Sequence, residues 1–370
     1  MSWPHPPRLL PIVALAALIV ACGGGDSPAR EPAGTGEPRT FALGLSSLPV
    51  ELTDESYDQA FELAAAAGEV VLIQRPPPWE ELLGGGISQE TAVTAGREID
   101  LAKKHGLDLF VAIDPIDIIE GQTQLAGAPP SLAGAGFANQ DIRQAFSAYA
   151  QFVADNYRPK YLALGVEVNT YQGQHPQDFD AFLTLYQETY DAVKALSPDT
   201  QVFPTFRLEE LRGLLPVGDP HPPQWSLIGQ FEPRLDLLAL SSYPGAAYTD
   251  PAELPGTYFT SARAYTDRPV IIAEMGFTSE PTRANAGATE AQQTGFLLRA
   301  INGAEQLDMP LIVWFVGQDP TFASDASREG LEHLGLKRSD GSAKETWVLW
   351  EAMANRPLVE DAQDPSTEGR

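Results

Sequence analysis

The segment YLALGVEVN, at residues 161–169, is apolar on both alternations until Glu167 interrupts it near its end. Apolar side chains on both faces are typical of a parallel strand that is covered by helices on one side and by a core on the other. A second segment of this kind, PVIIAEMGF at residues 269–277, is interrupted in the same way by Glu274. The two segments therefore predict buried parallel strands that each end in a carboxylate.

Six further apolar runs lie before, between and after these two segments. They are TFALGLSS (40–47), EVVLIQR (69–75), LDLFVAID (107–114), QVFPTFR (201–207), LDLLALSSY (235–243) and PLIVWFVGQ (310–318). Between successive runs lie a loop rich in proline, glycine and polar residues and, in most cases, a stretch with helical spacing. This alternation predicts an α/β protein with helical crossovers. Eight evenly spaced units favour a single-domain (β/α)8 TIM barrel, and an open doubly wound sheet is the alternative.

Helices are predicted between the strands where apolar residues recur every three or four positions. Three such stretches cover residues 57–67, 141–156 and 178–196. Thr289 is followed three residues later by glutamine, a capping-box pattern that predicts the start of another helix. The crossover between the fifth and sixth strands is weak, because prolines follow a short predicted helix at 208–215.

The amino-terminal residues do not fit this pattern. One cation, Arg8, precedes an apolar run at 9–21, which is typical of a secretory signal and is too short to span a bilayer permanently. The end of the run resembles the bacterial lipobox, which implies cleavage before Cys22 and a lipid on that residue. Cys22 is the only cysteine in the chain, so a buried structural thiol is the less favoured reading.

These observations predict four regions. We expect a lipoprotein signal peptide at 1–21, the lipidated cysteine and a flexible linker at 22–39, the barrel at 40–355 and a polar tail at 356–370. The predicted location is the cell envelope, at the outer membrane or the cell surface.

Composition limits the partners. The formal net charge of −26 at pH 7 argues against nucleic acid and against an anionic membrane surface, because both would repel the protein. A neutral ligand is compatible with this charge. With one cysteine there is no internal disulfide, so stability must come from a large core. We expect a monomer.

Glu167 and Glu274 are the first candidates for chemistry. Active sites of (β/α)8 barrels lie at the carboxyl ends of the strands, and these glutamates end the fourth and seventh predicted strands. A buried carboxylate is costly without partners or water. Each glutamate alone is also explained by an arginine partner or by a helix cap, but the two together favour a functional pair.

Three segments carry a family resemblance: GVEVN at 165–169, AEMGF at 273–277 and Ser-Tyr-Pro at 242–244. They resemble the glycoside hydrolases of clan A, and most of all the arabinogalactan endo-β-1,4-galactanase family and its uncharacterised lipoprotein relatives. The resemblance covers residues 40 to about 355. It implies a retaining glycosidase that acts on a carbohydrate substrate and needs no cofactor.

The resemblance also implies roles for individual residues. Glu167 corresponds to the general acid/base and Glu274 to the nucleophile, a pair that retention requires to lie about 5–5.5 Å apart. Tyr243 corresponds to the tyrosine that donates a hydrogen bond to the nucleophile, and Trp314 to the aromatic floor under the sugar. Arg75, at the end of the second strand, is a candidate to keep Glu274 ionised by proximity.

One position departs from the family pattern. Val166 stands directly before the acid/base, where the clan usually has an asparagine that holds the 2-hydroxyl of the sugar. If the strand continues, Asn169 points to the same side as Glu167 and replaces that donor. Without such a donor the protein is a barrel that has lost catalysis and binds glycans at the cell surface, which is the alternative function.

Two loop aromatics, Trp79 and Tyr171, are candidates to stack on apolar faces of sugars. Packing under their own loops is the alternative for both. Other polar groups at predicted strand ends include ligand contacts as well as ordinary loop hydrogen-bonders. They are Ser46, Ser47, Gln74, Asp114, Thr205, Arg207, Glu209 and Gln318.

Other chemistries find less support. The five histidines form no metal-binding pattern, so we expect no metal. The G-x-S-x-G pattern of a serine hydrolase does not occur either. The sequence therefore predicts a retaining glycosidase for a β-linked neutral, galactan-like polysaccharide or oligosaccharide. An envelope scaffold that binds another protein has little positive support.

Overall fold

In the computed structural model, the described residues are 37–119, 121–215, 219–322 and 331–359. The predicted signal peptide, Cys22, most of the linker and most of the tail lie outside them. Within the described ranges, no helix combines the length and the apolar character that a membrane span needs.

The strands lie close to their predicted positions. They are β1 (Ala42–Ser46), β2 (Val70–Arg75), β3 (Asp108–Ile113), β4 (Ile116–Ile119), β5 (Gln122–Leu125), β6 (Tyr161–Leu164), β7 (Gln201–Phe203), β8 (Thr205–Arg207), β9 (Leu238–Ser242), β10 (Val270–Met275) and β11 (Leu311–Trp314). The short β4 and β5 form an antiparallel hairpin that the sequence analysis did not predict. All other strands belong to one parallel sheet.

This sheet is a barrel. The strand order is β7-β6-β3-β2-β1-β11-β10-β9-β8, so the first and last barrel strands, β1 and β11, pair with each other. β7 and β8 are the two halves of the fifth barrel strand, and only Pro204 separates them. Proline has no N–H to donate to a ladder, which accounts for the break. The predicted (β/α)8 barrel is confirmed, and the open doubly wound sheet is excluded because the sheet returns to its own beginning.

The helices surround the barrel as crossovers. They are α1 (Asp54–Ala67), α2 (Trp79–Leu83), α3 (Gln89–His105), α4 (Gln140–Asn156), α5 (Val168–Gln174), α6 (Pro176–Leu196), α7 (Leu208–Leu211), α8 (Glu290–Leu307) and α9 (Glu345–Ala354). Thr289 caps α8 as predicted, since its hydroxyl accepts a hydrogen bond from Gln292 N at 3.3 Å. α7 is shorter than the predicted helix at 208–215.

The fourth barrel strand ends earlier than its apolar pattern predicts. β6 stops at Leu164, and the chain turns through Gly165 at φ +118° and Glu167 at φ +46° into α5. A Cβ at Gly165 would lie 2.7 Å from Val168 Cγ1, so the turn needs glycine for space as well as for its backbone angle. Glu167 therefore stands on a turn above the strand, and Asn169 lies in a helix.

The amino-terminal side of the barrel is closed by a buried ion pair. Arg39 is buried, pairs with Glu69 at 2.5 Å and donates to the carbonyl oxygen of Met353 at 3.1 Å. The backbone of Arg39 also bridges to Leu358. Residues just outside the predicted limits of the barrel, 40–355, therefore also take part in the fold.

Candidate active site

Three barrel strands bring polar side chains to one level of the lumen. Arg207 of β8 is in register with Ser241 of β9, and Ser241 is in register with Glu274 of β10. Neighbouring strands lie about 4.8 Å apart, and side chains at matched positions share a face. The seventh-strand glutamate thus lies beside a serine, and an arginine lies one strand further on.

The same serine contacts the other glutamate. Ser241 Oγ donates a hydrogen bond to Glu167 Oε1 at 2.7 Å. Glu274, which is 5% exposed, is the register partner of Ser241 on the next strand. The structure therefore brings together the two carboxylates that the sequence analysis singled out, although they are 107 residues apart in the sequence.

The backbone of Glu167 is held in an unusual conformation. A non-glycine residue in the left-handed region costs about 1–3 kcal/mol and persists only where its surroundings fix it. Here the backbone N of Glu167 donates to Thr205 Oγ1 at 2.8 Å, and its carbonyl oxygen accepts from Thr170 Oγ1 at 2.7 Å. These contacts hold the carboxylate above the lumen instead of along the strand.

The electrostatics of the pair follow from burial and like charge. Burial raises the pKa of Glu274 well above its usual range, and the negative charges of Glu167 and Asp114 raise it further. Arg207 opposes this rise with its positive charge. Glu274 therefore holds a proton at higher pH than an isolated carboxyl does.

Tyr243 follows β9 and enters the same site. Burial raises the pKa of its phenol, and the charges of Glu274 and Glu167 raise it further, so the hydroxyl stays protonated. A Cβ at Gly276 would lie 3.0 Å from Tyr243 Cε1, so Gly276 leaves room for the ring beside the seventh strand. The predicted position of Tyr243 next to Glu274 agrees with this placement.

A buried carboxylate, Glu209, fixes the end of β9. It accepts hydrogen bonds from Ser242 Oγ at 2.9 Å, from the backbone N of Tyr243 at 3.1 Å and from the hydroxyl of Tyr258. Burial raises its pKa, and Arg207 opposes that rise. Glu209, which the sequence analysis placed only among the strand-end polar groups, thus positions Tyr243 through its backbone.

Arg75 does not lie in the site. Its guanidinium pairs with Glu98 of α3 on the outside of the barrel, where Tyr57 also donates to the same carboxylate at 2.6 Å. The prediction that Arg75 keeps Glu274 ionised is therefore wrong. Arg207 supplies the positive charge near that carboxylate.

Trp314 also lies outside the site. Its side chain is completely buried, its Nε1 donates to the carbonyl oxygen of Leu334 at 2.8 Å, and its ring packs 6.1 Å from that of Phe296 on α8. Successive side chains of a strand point to opposite faces. The next residue, Phe315, accordingly reaches the site, with its ring edge-on to Tyr243 at 6.5 Å.

Asn169 is a structural residue of the α5–β8 contact. Its Oδ1 accepts from the backbone N of Arg207 at 2.8 Å, and its Nδ2 donates to the carbonyl oxygen of the same residue at 3.1 Å. The side chain has no exposed surface. Asn169 therefore does not replace the donor that Val166 lacks.

The two candidate stacking aromatics are both buried, Trp79 at the start of α2 and Tyr171 within α5. Trp79 is buried, and its Nε1 donates to the carbonyl oxygen of Ala126 at 2.7 Å. Tyr171 is buried too, and its hydroxyl donates to Asp178 Oδ2 at 2.7 Å. Neither ring offers a free face for a sugar, so the predicted stacking roles are wrong.

Asp114, directly after β3, adds a third carboxyl to the site. Burial raises its pKa to about 7, the hydrogen bond from Gln74 Nε2 opposes that rise, and the charge of Glu167 adds to it. In the sequence, Asp114 and Gln74 are recognisable only as polar groups at strand ends. Among the described residues, no group of three histidines, cysteines or acids is arranged to hold a metal ion.

Replacement of Asp114 by asparagine tests this pKa. The carboxyl titrates near 4 in the unfolded chain and at about 7 in the folded one, so the folded state binds more protons between these values and stability falls as pH rises. We expect the free energy of unfolding of Asp114→Asn to exceed that of the wild type by about 1–4 kcal/mol near pH 8. Near pH 4, where the wild-type carboxyl is protonated in the folded state, we expect the two proteins to have similar free energies of unfolding. Urea denaturation at about pH 4 and pH 8 measures both values. The same difference at the two pH values would contradict the raised pKa.

Comparisons with known proteins show which solved structures share the fold. No protein-family model matches the chain, and no curated protein matches it. An exo-β-1,4-mannosidase from Opitutaceae bacterium strain TAV5 matches at a TM-score of 0.64 and 16% identity, over 88% of this chain and 61% of its own. The chain thus spans less than two thirds of the length of that mannosidase.

Two further solved structures show the same architecture. GH5_18 from Bifidobacterium longum subsp. longum matches at a TM-score of 0.66 and 17% identity, over 87% of this chain and 81% of its own. A family 39 glycoside hydrolase from Bacteroides cellulosilyticus matches at 0.57 and 18%, over 86% of this chain and 64% of its own. The likeness is one of fold, and the chain is a (β/α)8 barrel of the architecture that these glycoside hydrolases share.

Proposed function

We propose that this protein is a retaining glycoside hydrolase that cleaves a β-linked neutral oligosaccharide or polysaccharide. The observation that carries the proposal is the pair of carboxylates at the carboxyl ends of the fourth and seventh barrel strands. Ser241 connects the pair, as a hydrogen-bond donor to Glu167 and as the register partner of Glu274. Retaining glycosidases need two such carboxyl groups with different roles on the two sides of one glycosidic bond.

In the first step of the proposed reaction, the carboxyl group of Glu167 gives its proton to the glycosidic oxygen. A carboxylate oxygen of Glu274 attacks the anomeric carbon from the opposite face, and the bond to the leaving sugar breaks. In the second step, Glu167 takes a proton from water. The water oxygen attacks the anomeric carbon, the ester bond to Glu274 breaks, and the original configuration returns.

The division of work needs one proton to be moved within the pair. Burial and the charges of Glu167 and Asp114 raise the pKa of Glu274, so the free protein favours a proton on Glu274. The reaction needs a proton on Glu167 and a negative charge on Glu274, and the positive charge of Arg207, which lowers the pKa of Glu274, favours that state. The protonated phenol of Tyr243 is suited to donate to the nucleophile carboxylate.

The sugar is proposed on two grounds. The sequence resemblance to endo-β-1,4-galactanases favours a galactan-like substrate. Solved structures of the same fold include an exo-β-1,4-mannosidase and a GH5_18 variant in complex with Manβ1-4GlcNAc. β-Galactosides and β-mannosides are therefore the first substrates to test.

The test uses the wild-type protein with p-nitrophenyl β-D-galactoside, mannoside and glucoside, and with β-1,4-galactan. We expect hydrolysis of at least one of them, with the β-anomer of the product sugar appearing first in proton NMR spectra. Early formation of the α-anomer would show inversion and contradict the proposed mechanism. Absence of hydrolysis across the panel would contradict the proposed activity.

A glycan-binding barrel without catalysis is the second candidate. Val166 has no hydrogen-bonding side chain, and the amide of Asn169 bonds to the backbone of Arg207 and to Gln224 Oε1. No side chain of these two residues is then left to hold the 2-hydroxyl of a sugar. Glycan binding in calorimetry without release of reducing sugar would favour this candidate.

Export and a lipid anchor on Cys22 belong to either candidate. We propose that they hold the barrel in the cell envelope, at the outer membrane or the cell surface. This part of the proposal depends on the amino-terminal sequence alone.

A further inference from the structure

Gln74 and Asp114 form a hydrogen-bonded pair on neighbouring barrel strands. Gln74 is in register with Ala112 of β3, and Asp114 lies two residues after Ala112, directly beyond the end of that strand. Side chains two residues apart on a strand point to the same face, so the side chains of Gln74 and Asp114 point the same way. Gln74 Nε2 donates to Asp114 Oδ2 at 3.1 Å. We name this pair the Gln74–Asp114 dyad.

The dyad faces the lumen of the barrel. The residue after Gln74, Arg75, points outward to Glu98 of α3, so Gln74 points to the opposite side. Electrostatics agree with this direction: besides burial, the charge of Asp114 raises the pKa of Glu274, and the charge of Glu167 raises the pKa of Asp114. The dyad therefore shares the lumen with both glutamates.

One backbone hydrogen bond, from Ile116, also reaches the Asp114 carboxyl, and it leaves the burial of this acid only partly offset. An acid that is 5% exposed and lies among other acids destabilises the protein unless it is neutralised or used. The cation on the outer face, Arg75, pairs with Glu98, and Arg207 ends the fifth barrel strand, in register with Ser241. A carboxyl next to a carboxamide presents donors and acceptors side by side, which suits two adjacent hydroxyl groups.

We infer that the Gln74–Asp114 dyad binds two adjacent free hydroxyls of the sugar ring that lies between Glu167 and Glu274. This inference rests on the proposed function and narrows its substrate to glycosides whose reacting sugar is unsubstituted at those two positions. A site that hydrogen-bonds a hydroxyl discriminates strongly against analogues that lack it, because its own polar groups are then left without partners.

The experiment combines variants with altered substrates. It measures kcat and KM for the wild type, Asp114→Ala and Gln74→Ala on the best p-nitrophenyl glycoside of the panel and on its 3-, 4- and 6-deoxy analogues. On the parent glycoside we expect Asp114→Ala to lower kcat/KM by about 100-fold. On the analogue that lacks the bound hydroxyl, the same substitution should cost less than about 5-fold, because the contact is already gone.

Asp108→Ala is the matched control. It removes the same side chain from the other end of the same strand, where Asp108 pairs with Lys160 at 2.7 Å on the surface. We expect it to change kcat/KM by less than about 2-fold on every substrate. An equal loss on the parent and on every deoxy analogue in Asp114→Ala would overturn the dyad as a hydroxyl-binding site.

Failure of the proposed function is recognised separately. If the wild type cleaves no glycoside, binding of methyl β-D-galactoside, mannoside and glucoside is measured by saturation-transfer NMR. Binding that is lost in both Asp114→Ala and Gln74→Ala, with Asp108→Ala unaffected, supports the dyad in a barrel that only binds. Binding that neither variant changes, or no binding by the wild type, overturns it.

Discussion

Glu274→Ala should lower kcat for the proposed glycoside hydrolysis by about 10⁴-fold or more, because the variant has no nucleophile to form the glycosyl-enzyme. The same change should raise the stability of the protein at neutral pH. Burial and two neighbouring acids hold the pKa of Glu274 above its usual range, so above the pKa of the unfolded chain this carboxyl destabilises the fold. Steady-state kinetics and urea denaturation at about pH 7 measure the two effects.

The opposite signs separate a catalytic residue from a structural one. A carboxylate that holds the barrel together would lose activity and stability in parallel when replaced. Azide provides a second check, since it fits the space that the side chain leaves and attacks the anomeric carbon once. Glu274→Ala with azide should therefore yield the α-glycosyl azide from a β-glycoside. A variant with near wild-type kcat, or one that gives only the β-azide, would contradict the assignment.

The positions of the two glutamates could be predicted because each breaks an apolar run. Eight such runs, most of them separated by segments with helical spacing of apolar residues, also predict the barrel, since few folds alternate strands and helices so evenly. The structure agrees to within a few residues at most strand ends. The local pattern at Glu167 is the exception. Val166 and Val168 continue the apolar alternation, but the backbone of Gly165 turns the chain out of the strand.

The faces of the side chains could not be predicted in the same way. A strand that is apolar on both faces does not indicate which alternate residues enter the lumen. Arg75 was assigned to the site from its place at a strand end and Trp314 from the family resemblance, while their neighbours Gln74 and Phe315 point into the lumen. The pairing register between neighbouring strands determines which alternate residues face the lumen, and the sequence alone does not give that register.

The predicted stacking roles of the two aromatics are wrong for a different reason. Trp79 and Tyr171 are buried because their polar atoms find partners, the carbonyl oxygen of Ala126 and the carboxylate of Asp178. The first of these partners lies on another loop, 47 residues along the chain. Aromatic residues with a polar atom suit a buried site with one hydrogen bond as well as a sugar surface. Composition of the loop alone does not distinguish the two.

Glu167→Ala should affect substrates according to their leaving groups. A phenol such as dinitrophenol leaves without a proton, so its glycoside should still form the glycosyl-enzyme at close to the wild-type rate. An unactivated disaccharide needs the proton, and its kcat/KM should fall by about 10²–10⁴-fold. Calorimetry follows the disaccharide, and absorbance follows the dinitrophenyl glycoside.

The second half of the reaction makes this test specific to Glu167. Hydrolysis of the intermediate needs a base, so Glu167→Ala should accumulate glycosyl-enzyme and show a burst of dinitrophenol. Azide needs no base, and it should speed turnover and give the β-glycosyl azide, the opposite anomer to that from Glu274→Ala. Ser241→Ala is the control, because it removes the hydroxyl that donates to Glu167 Oε1 and leaves the carboxylate in place. Equal losses on both substrates in Glu167→Ala, without a burst, would mean that this glutamate positions the site and transfers no proton.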